Sequence, residues 1–136
     1  MMKLTKTIIM ALVANIGLCG AAQAFTIEFD WDGLRLCNTG RPNTVPNPEF
    51  VVTGLPEGTN AVIFRLVDKD VPSFNHGGGT VSMLADGIVP QGSFRYKSPC
   101  PPSGRHTYEW TATAKAGTGF FAERLGVARA SREYPE

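Results

Sequence analysis

Apolar and polar residues alternate along several stretches of the chain, and alternation with period two predicts β-strands that each bury one face. Residues 26–32 alternate in this way until Gly33 ends the run. Residues 50–53 form a short apolar stretch. Residues 61–67 are apolar and largely β-branched apart from Arg65, which is typical of a strand near the centre of a sheet. The chain is therefore expected to be mainly β.

Residues 106–114 show the cleanest alternation in the chain. One face of this predicted strand carries His106, Tyr108, Trp110 and Ala112, and the other face carries threonines and a glutamate. Since residues two apart point to the same side of a strand, a histidine and a tyrosine are predicted to stand side by side.

The remaining pattern completes the predicted order of elements. Weaker alternation predicts two further strands, at residues 80–84 and 88–96. Residues 37–48 and 98–104 are rich in proline, which favours loops because proline fits neither a helix interior nor a central strand. Residues 120–132 are the one helix candidate, since their apolar side chains cluster on one side of a helical wheel.

The first 24 residues have the layout of a secretory signal peptide: two lysines, an apolar run, and small residues before a cleavage site at Ala24. The run is shorter than the roughly 20 residues that a membrane span needs. A lipoprotein signal would use Cys19, but Leu18 stands where such signals carry a small residue. We expect a mature domain of 112 residues, 25–136, located in the periplasm or secreted.

Charge and cysteine content narrow the class of protein. Loss of two signal-peptide lysines leaves 11 basic against 12 acidic residues, so neither nucleic acid nor an anionic membrane surface is indicated as a partner. The mature chain keeps Cys37 and Cys100, an even pair in an oxidising compartment, which favours a disulfide. The alternative is that Cys100 is a small buried apolar residue and Cys37 a free thiol.

Two polar clusters, residues 68–79 and 98–108, each lie where a predicted strand meets a loop, and they contain the chain's 2 histidines, His76 and His106. Imidazolium groups, a tyrosine hydroxyl and backbone N–H groups freed by glycines would all donate hydrogen bonds to a phosphate, sulfate or carboxylate. Neighbouring aspartates can orient the imidazoles and accept from an amine beside the anion. If the loops meet, they form a pocket for an anion or a zwitterion.

The two clusters also contain motifs that resemble the phosphatidylethanolamine-binding protein family, including its bacterial Raf-kinase-inhibitor-like branch. The first motif is Asp68-Lys69-Asp70-Val71-Pro72, and the second is Pro99-Cys100-Pro101-Pro102-Ser103-Gly104-Arg105-His106-Thr107-Tyr108. The resemblance covers roughly residues 50–114, and the second motif is long enough to be specific.

This resemblance implies a mainly β, sandwich-like fold and a small cavity for phosphate-type groups, without shared catalytic activity or a cofactor. The local pattern of residues 120–132 adds one short C-terminal helix to this expectation. The family's ligand-binding residues correspond to Asp70, His76, His106 and Tyr108, while Asp68 and Pro99 shape the walls. The sequence departs from the common pattern at several positions of these motifs: Lys69, Val71, Gly77, Ser98 and Thr107. Of the properties that the resemblance implies, a preference for phospholipid is therefore the one that these departures affect most.

Other interpretations of the same residues remain open. The acidic cluster is also typical of a solvated turn, and the glycines 77–79 of a tight connection or bulge. Histidines and aspartates could bind zinc, although their spacing matches no compact zinc motif. A hydrolase would need Ser73, Ser98 or Ser103 as nucleophile, and no catalytic serine signature surrounds them. An interaction protein that inhibits a secreted or envelope partner such as a protease is the main alternative to a small-ligand module.

Overall fold

The computed structural model describes residue 17 and residues 24–136, and this part of the chain is β-structure without an α-helix. Nearly all of the predicted signal peptide lies outside the described residues. In chain order the strands are β1 (Thr26–Glu28), β2 (Thr44–Pro46), β3 (Phe50–Thr53), β4 (Ala61–Asp68), β5 (Gly78–Ser82), β6 (Gly87–Val89), β7 (Arg95–Lys97), β8 (His106–Lys115) and β9 (Arg124–Tyr134). The prediction of a mainly β protein is confirmed.

The strands form three antiparallel sheets in the described residues. The largest has four strands in the order β5-β4-β8-β9, the second has three in the order β1-β3-β6, and β2 pairs with β7. The long central strands β4 and β8 run side by side from Ala61 opposite Lys115 to Asp68 opposite Tyr108. The end of β4 and the beginning of β8 therefore lie side by side, next to Asp68.

A single aromatic core joins the four-stranded sheet to the three-stranded one. Phe50 of β3 stacks on Phe64 of β4, with ring centroids 4.5 Å apart, and meets the Trp110 ring of β8 edge-on at 5.1 Å. The buried positions of β4 and β8 follow period two, as the sequence predicts for β8, whereas β4 is apolar at nearly every position. The rigid packing of this core holds the strand ends that carry the polar residues.

The structure differs in detail from two of the predicted elements, one loop and one strand. Residues 44–46 of the predicted loop 37–48 form β2, which tolerates Pro46 because it belongs to a two-stranded sheet and ends there. The predicted strand 88–96 is two strands, β6 and β7, separated by a turn in which the N–H of Ser93 donates to the carbonyl of Pro90.

The predicted C-terminal helix at residues 120–132 is wrong. Residues 124–134 are β9, which pairs with β8 along nearly its whole length. Small residues, Gly126, Ala128 and Ala130, alternate on its inner side, while Leu125 and Val127 lie on the other side. Because apolar residues lie on both faces of β9, its sequence does not show the period-two pattern of a strand. The backbone N–H and C=O groups that would bond within a helix are instead paired with those of β8.

Among the described residues there is no helix long and apolar enough to cross a membrane.

Close packing of β5 on β4 yields a stability prediction. A Cβ at Gly78 would lie 1.8 Å from the carbonyl oxygen of Phe64. We expect Gly78→Ala to lower the free energy of unfolding by about 2 kcal/mol, because the two strands must separate locally. Gly87→Ala, where a Cβ meets no atom within 4 Å, is the matched control and should change it by less than about 0.5 kcal/mol in urea unfolding. Equal effects of the two substitutions would contradict this packing.

Candidate functional site

A polar group of residues lies at the end of the four-stranded sheet where β4 ends and β8 begins. Inward positions of β4 are filled by apolar side chains until the last, which is Asp68. The same inward row of β8 begins with His106 and Tyr108. Because Asp68 and Tyr108 are directly opposite in the register, the carboxylate, the imidazole and the phenol are brought to one place.

Asp68 is buried, with 4% of its surface exposed. One carboxylate oxygen accepts from His106 Nδ1 at 2.7 Å, and the other accepts from the backbone N–H groups of Asp70 and Val71 at 2.9 and 3.2 Å. Burial alone would raise the pKa of Asp68, but these hydrogen bonds outweigh it and hold the pKa below its ordinary value. Asp68 is therefore an ionised carboxylate that is fixed from three sides.

His76 reaches the site from the turn that follows β4. The N–H of Lys97 donates to the His76 carbonyl at 2.8 Å, and the Lys97 carbonyl is 2.7 Å from His76 Nδ1. Since a carbonyl only accepts, Nδ1 carries the proton and Nε2 is left for another partner. Only 3% of His76 is exposed, and this burial lowers its pKa, although the Lys97 carbonyl and the Asp68 charge oppose the shift.

His106 and Tyr108 complete the polar side of the cavity. Asp68 holds His106 through Nδ1, so Nε2 of this ring is also left for a ligand. The Tyr108 ring lies 6.2 Å from the ring of His106 and 5.5 Å from that of His76, centroid to centroid. Burial and the nearby Asp68 charge raise the pKa of Tyr108, which keeps its phenol protonated at neutral pH.

The other walls of the cavity are apolar. They come from both loops that the disulfide joins, and from the turn after β4: Gly40, Pro42, Val71, Phe74, Cys100, Pro101 and Pro102. The cavity has a volume of about 310 Å³, at the lower end of the range for small-molecule sites. A headgroup-sized ligand fits this space.

The Cys37–Cys100 disulfide predicted from the sequence is confirmed. The bond holds residues 37–48 against residues 98–104. A backbone hydrogen bond also joins the two loops, since the Ser98 N–H donates to the Asn43 carbonyl at 2.8 Å. Gly40 and Pro42 of this region were not predicted as site residues. The signal that could have found them is the pairing of Cys37 with Cys100, because it brings the residues that follow Cys37 to the second motif.

Four of the predicted site residues, Asp68, His76, His106 and Tyr108, line one cavity. Two do not line it. Asp70 lies beside it and accepts from the Thr107 N–H at 2.8 Å, and Pro99 is fully buried behind the wall. The glycines 77–79 are also elsewhere: they line a separate hollow, and residues 78 and 79 pair with β4. Their N–H groups are therefore part of the strand connection rather than of the cavity.

Metal binding and serine hydrolysis are the two alternative chemistries that can be compared with this geometry. Ligand atoms of Asp68, Asp70 and His106 lie within 4.8 Å of one another, close enough for a metal. However, His106 Nδ1 and the Asp68 carboxylate bind each other, and Asp70 binds the backbone, so a metal would have to displace these hydrogen bonds. Ser98, a candidate nucleophile, is buried, and its Oγ accepts from the Asn43 N–H at 3.1 Å.

Comparison of the chain with protein-family models, with curated proteins and with solved structures finds no match. The resemblance to the phosphatidylethanolamine-binding family thus depends on the two motifs around Asp68 and His106.

The lowered pKa of His76 gives a prediction for stability against pH. Unfolded His76 takes up a proton near pH 6.5, its ordinary value, whereas the folded ring resists protonation until lower pH. His76 therefore contributes stability above about pH 6.5 that is lost as pH falls, at no more than about 1.4 kcal/mol per pH unit. Urea unfolding between about pH 7.5 and 5.5 should show this loss in the wild type and in the control His106→Gln, but less of it in His76→Gln. An identical slope in His76→Gln would contradict the assignment.

Proposed function

We propose that this protein is an exported, non-catalytic binding module whose cavity takes a small phosphate-type anion or a zwitterionic headgroup. The observation that carries the proposal is that both imidazoles line one cavity with Nδ1 already engaged, by Lys97 in one case and Asp68 in the other. Each ring therefore leaves Nε2 for a ligand, and an Nε2 that carries a proton donates to a phosphate oxygen. The protonated phenol of Tyr108, which lines the same cavity, is a third donor.

The charge balance of the cavity explains which anions would fit. Its lining, as described, includes no lysine or arginine, and it includes the ionised Asp68. A bare anion would be repelled unless His106 and His76 are protonated, so binding should take up protons and strengthen as pH falls. A zwitterion is better matched, because its ammonium group can approach the carboxylate of Asp70, which lies within 4.8 Å of the Asp68 and His106 side-chain atoms, while its phosphate faces the imidazoles.

The preformed walls of the cavity and the disulfide support an exported binding module. Proline, glycine and the disulfide fix the apolar walls before a ligand arrives, which reduces the entropy lost on binding. The disulfide itself is suited to an oxidising compartment, as the proposed export requires. Within this proposal the chain is a relative of the phosphatidylethanolamine-binding family, since four residues that the resemblance assigns to its pocket region line the cavity.

Removal of one imidazole tests the proposal. We expect His106→Gln to weaken the affinity for phosphoethanolamine by at least about tenfold, because the hydrogen bond from Nε2 to the charged phosphate is lost. The measurement is calorimetric titration of protein purified as the cell processes it, with orthophosphate and acetate as further ligands.

Arg105→Gln is the matched control for this titration. Arg105 is next to His106 in sequence, but it lies 3.6 Å from Glu133 and outside the cavity lining. Its loss should leave affinity within about twofold. If Arg105→Gln and His106→Gln weaken binding equally, the attraction is general surface charge and the cavity is not the site. If His106→Gln instead keeps full affinity, the ligand binds without His106 and the cavity is not its site. If the wild type binds none of the three ligands, an interaction protein becomes the better interpretation.

A further inference from the structure

The tip of the β8–β9 hairpin carries a pair of aromatic side chains that are almost fully exposed. Phe120 is 90% and Phe121 95% exposed, and their rings meet edge-on with centroids 5.1 Å apart. The turn beneath them is closed by backbone hydrogen bonds, from Ala116 N–H to the Glu123 carbonyl at 2.9 Å and from Ala122 N–H to the Gly119 carbonyl at 3.0 Å. The two rings project from a closed turn and pack on no core.

This tip lies at the end of the four-stranded sheet opposite to the cavity. β8 begins at His106 in the cavity and ends at Lys115 below the tip, which at about 3.3 Å per residue is a distance of roughly 30 Å. A third exposed apolar residue, Leu84, follows the end of β5 at this same end of the sheet, because Ser82 and Lys115 both pair with Ala61. Among the described residues, the three most exposed large apolar side chains thus lie at the end of the sheet far from the cavity.

Local charge distinguishes the tip from the rest of the protein. Residues 115–124 contain Lys115, Arg124 and one acid, Glu123, so the tip has a formal charge of +1. The mature chain as a whole has 11 basic and 12 acidic residues, a formal charge of −1. The Lys115 ammonium is 3.5 Å from the Phe120 carbonyl, so a cation is held directly beneath the aromatic pair.

The area that the two phenylalanine rings could bury is too small for a stable protein interface. Two phenylalanines bury roughly 300–500 Å² together, whereas a stable protein interface needs about 800 Å² from each partner. A lipid bilayer has no such threshold, because apolar side chains on a projecting turn can enter the acyl boundary while flanking cations meet anionic headgroups.

We propose that the β8–β9 tip is a membrane-docking device that inserts Phe120 and Phe121 into the interfacial region of a bilayer containing anionic lipid. Lys115 and Arg124 then face the headgroups. With β8 perpendicular to the bilayer, the cavity would lie about 30 Å from it and would face the solution rather than the lipid beneath the tip. This docking does not depend on the function proposed for the cavity.

Co-sedimentation with vesicles tests this proposal. The protein is purified as the cell processes it and mixed with vesicles of phosphatidylcholine and phosphatidylglycerol, or of phosphatidylcholine alone. We expect the double variant Phe120→Ser, Phe121→Ser to partition at least about tenfold less onto the mixed vesicles. Glu123→Gln should raise partitioning onto the mixed vesicles by about fivefold and leave it unchanged on the neutral ones.

Control variants separate the tip from other surfaces. Ile88→Ser removes an exposed apolar residue from β6 and should not change partitioning. His106→Gln should not change it either, which keeps a failure of docking distinguishable from a failure of the cavity proposal. Unchanged partitioning of the double phenylalanine variant would overturn the proposal. Self-association without vesicle binding would also overturn the proposal. If sedimentation velocity shows such self-association and the double phenylalanine variant abolishes it, the surface that covers the two rings is a second copy of the chain.

Discussion

Replacement of Cys37 and Cys100 together by serine is expected to lower the free energy of unfolding by about 4 kcal/mol. The two cysteines are 63 residues apart in sequence, so their bond closes a long loop and removes conformational entropy from the unfolded chain. The reduced protein also loses the connection between the two loops that form the apolar walls. Stability and ligand affinity should therefore fall together.

Urea unfolding with and without a reductant measures this effect. The wild type should lose stability when the bond is reduced, whereas the double serine variant should have the same midpoint in both conditions and serves as the control. A wild type whose midpoint is unchanged, although mass spectrometry shows that the bond is broken, would contradict the expected role of the disulfide.

Asp68→Ala is expected to lower the free energy of unfolding by about 3 kcal/mol, since three hydrogen bonds at about 1 kcal/mol each are lost. The donors left without a partner are His106 Nδ1 and the backbone N–H groups of Asp70 and Val71. His106 is then free to turn its ring away from the cavity, so affinity for phosphoethanolamine should fall as well.

Asp68→Asn is the matched control for this substitution. An amide oxygen can still accept from the turn, so we expect a loss of only about 1 kcal/mol. The pH dependence gives a second readout. The pKa of Asp68 is lowered in the folded protein, so its carboxylate contributes stability above about pH 4 that is lost as pH falls. Urea midpoints of the asparagine variant should lack this component, and equal acid sensitivity of both proteins would contradict it.

Local sequence pattern was sufficient to predict the strands that carry the site. In β8 the alternation is clean because one face of the strand packs against the aromatic core, which leaves few choices for the inward residues. For the same reason His106 and Tyr108 were predicted on one face. β4 is recognisable instead as a nearly continuous apolar run, typical of a strand near the centre of a sheet. Since antiparallel pairing places Asp68 opposite Tyr108, the convergence of the motifs follows once the two strands are neighbours.

Features that depend on tertiary pairing were not predictable in this way. β9 has a helix-like apolar pattern, and only its ladder with β8 makes it a strand. Asp70 belongs to the first motif, but its carboxylate is used by the Thr107 N–H across the turn. The contribution of Gly40 and Pro42 to the cavity depends on a loop closure between distant cysteines, which local periodicity does not encode.

The central claim is that His76 and His106 hold one ligand in one cavity, and the most direct measurement is NMR of the two imidazoles during titration with phosphoethanolamine. Acetate and chloride serve as control ions. We predict that both histidines shift together and saturate at the same concentration, with tighter binding at about pH 6 than at about pH 8, because a bound phosphate favours imidazolium. If neither ring responds while the protein stays folded, or if only one responds, the two histidines do not form a single binding site.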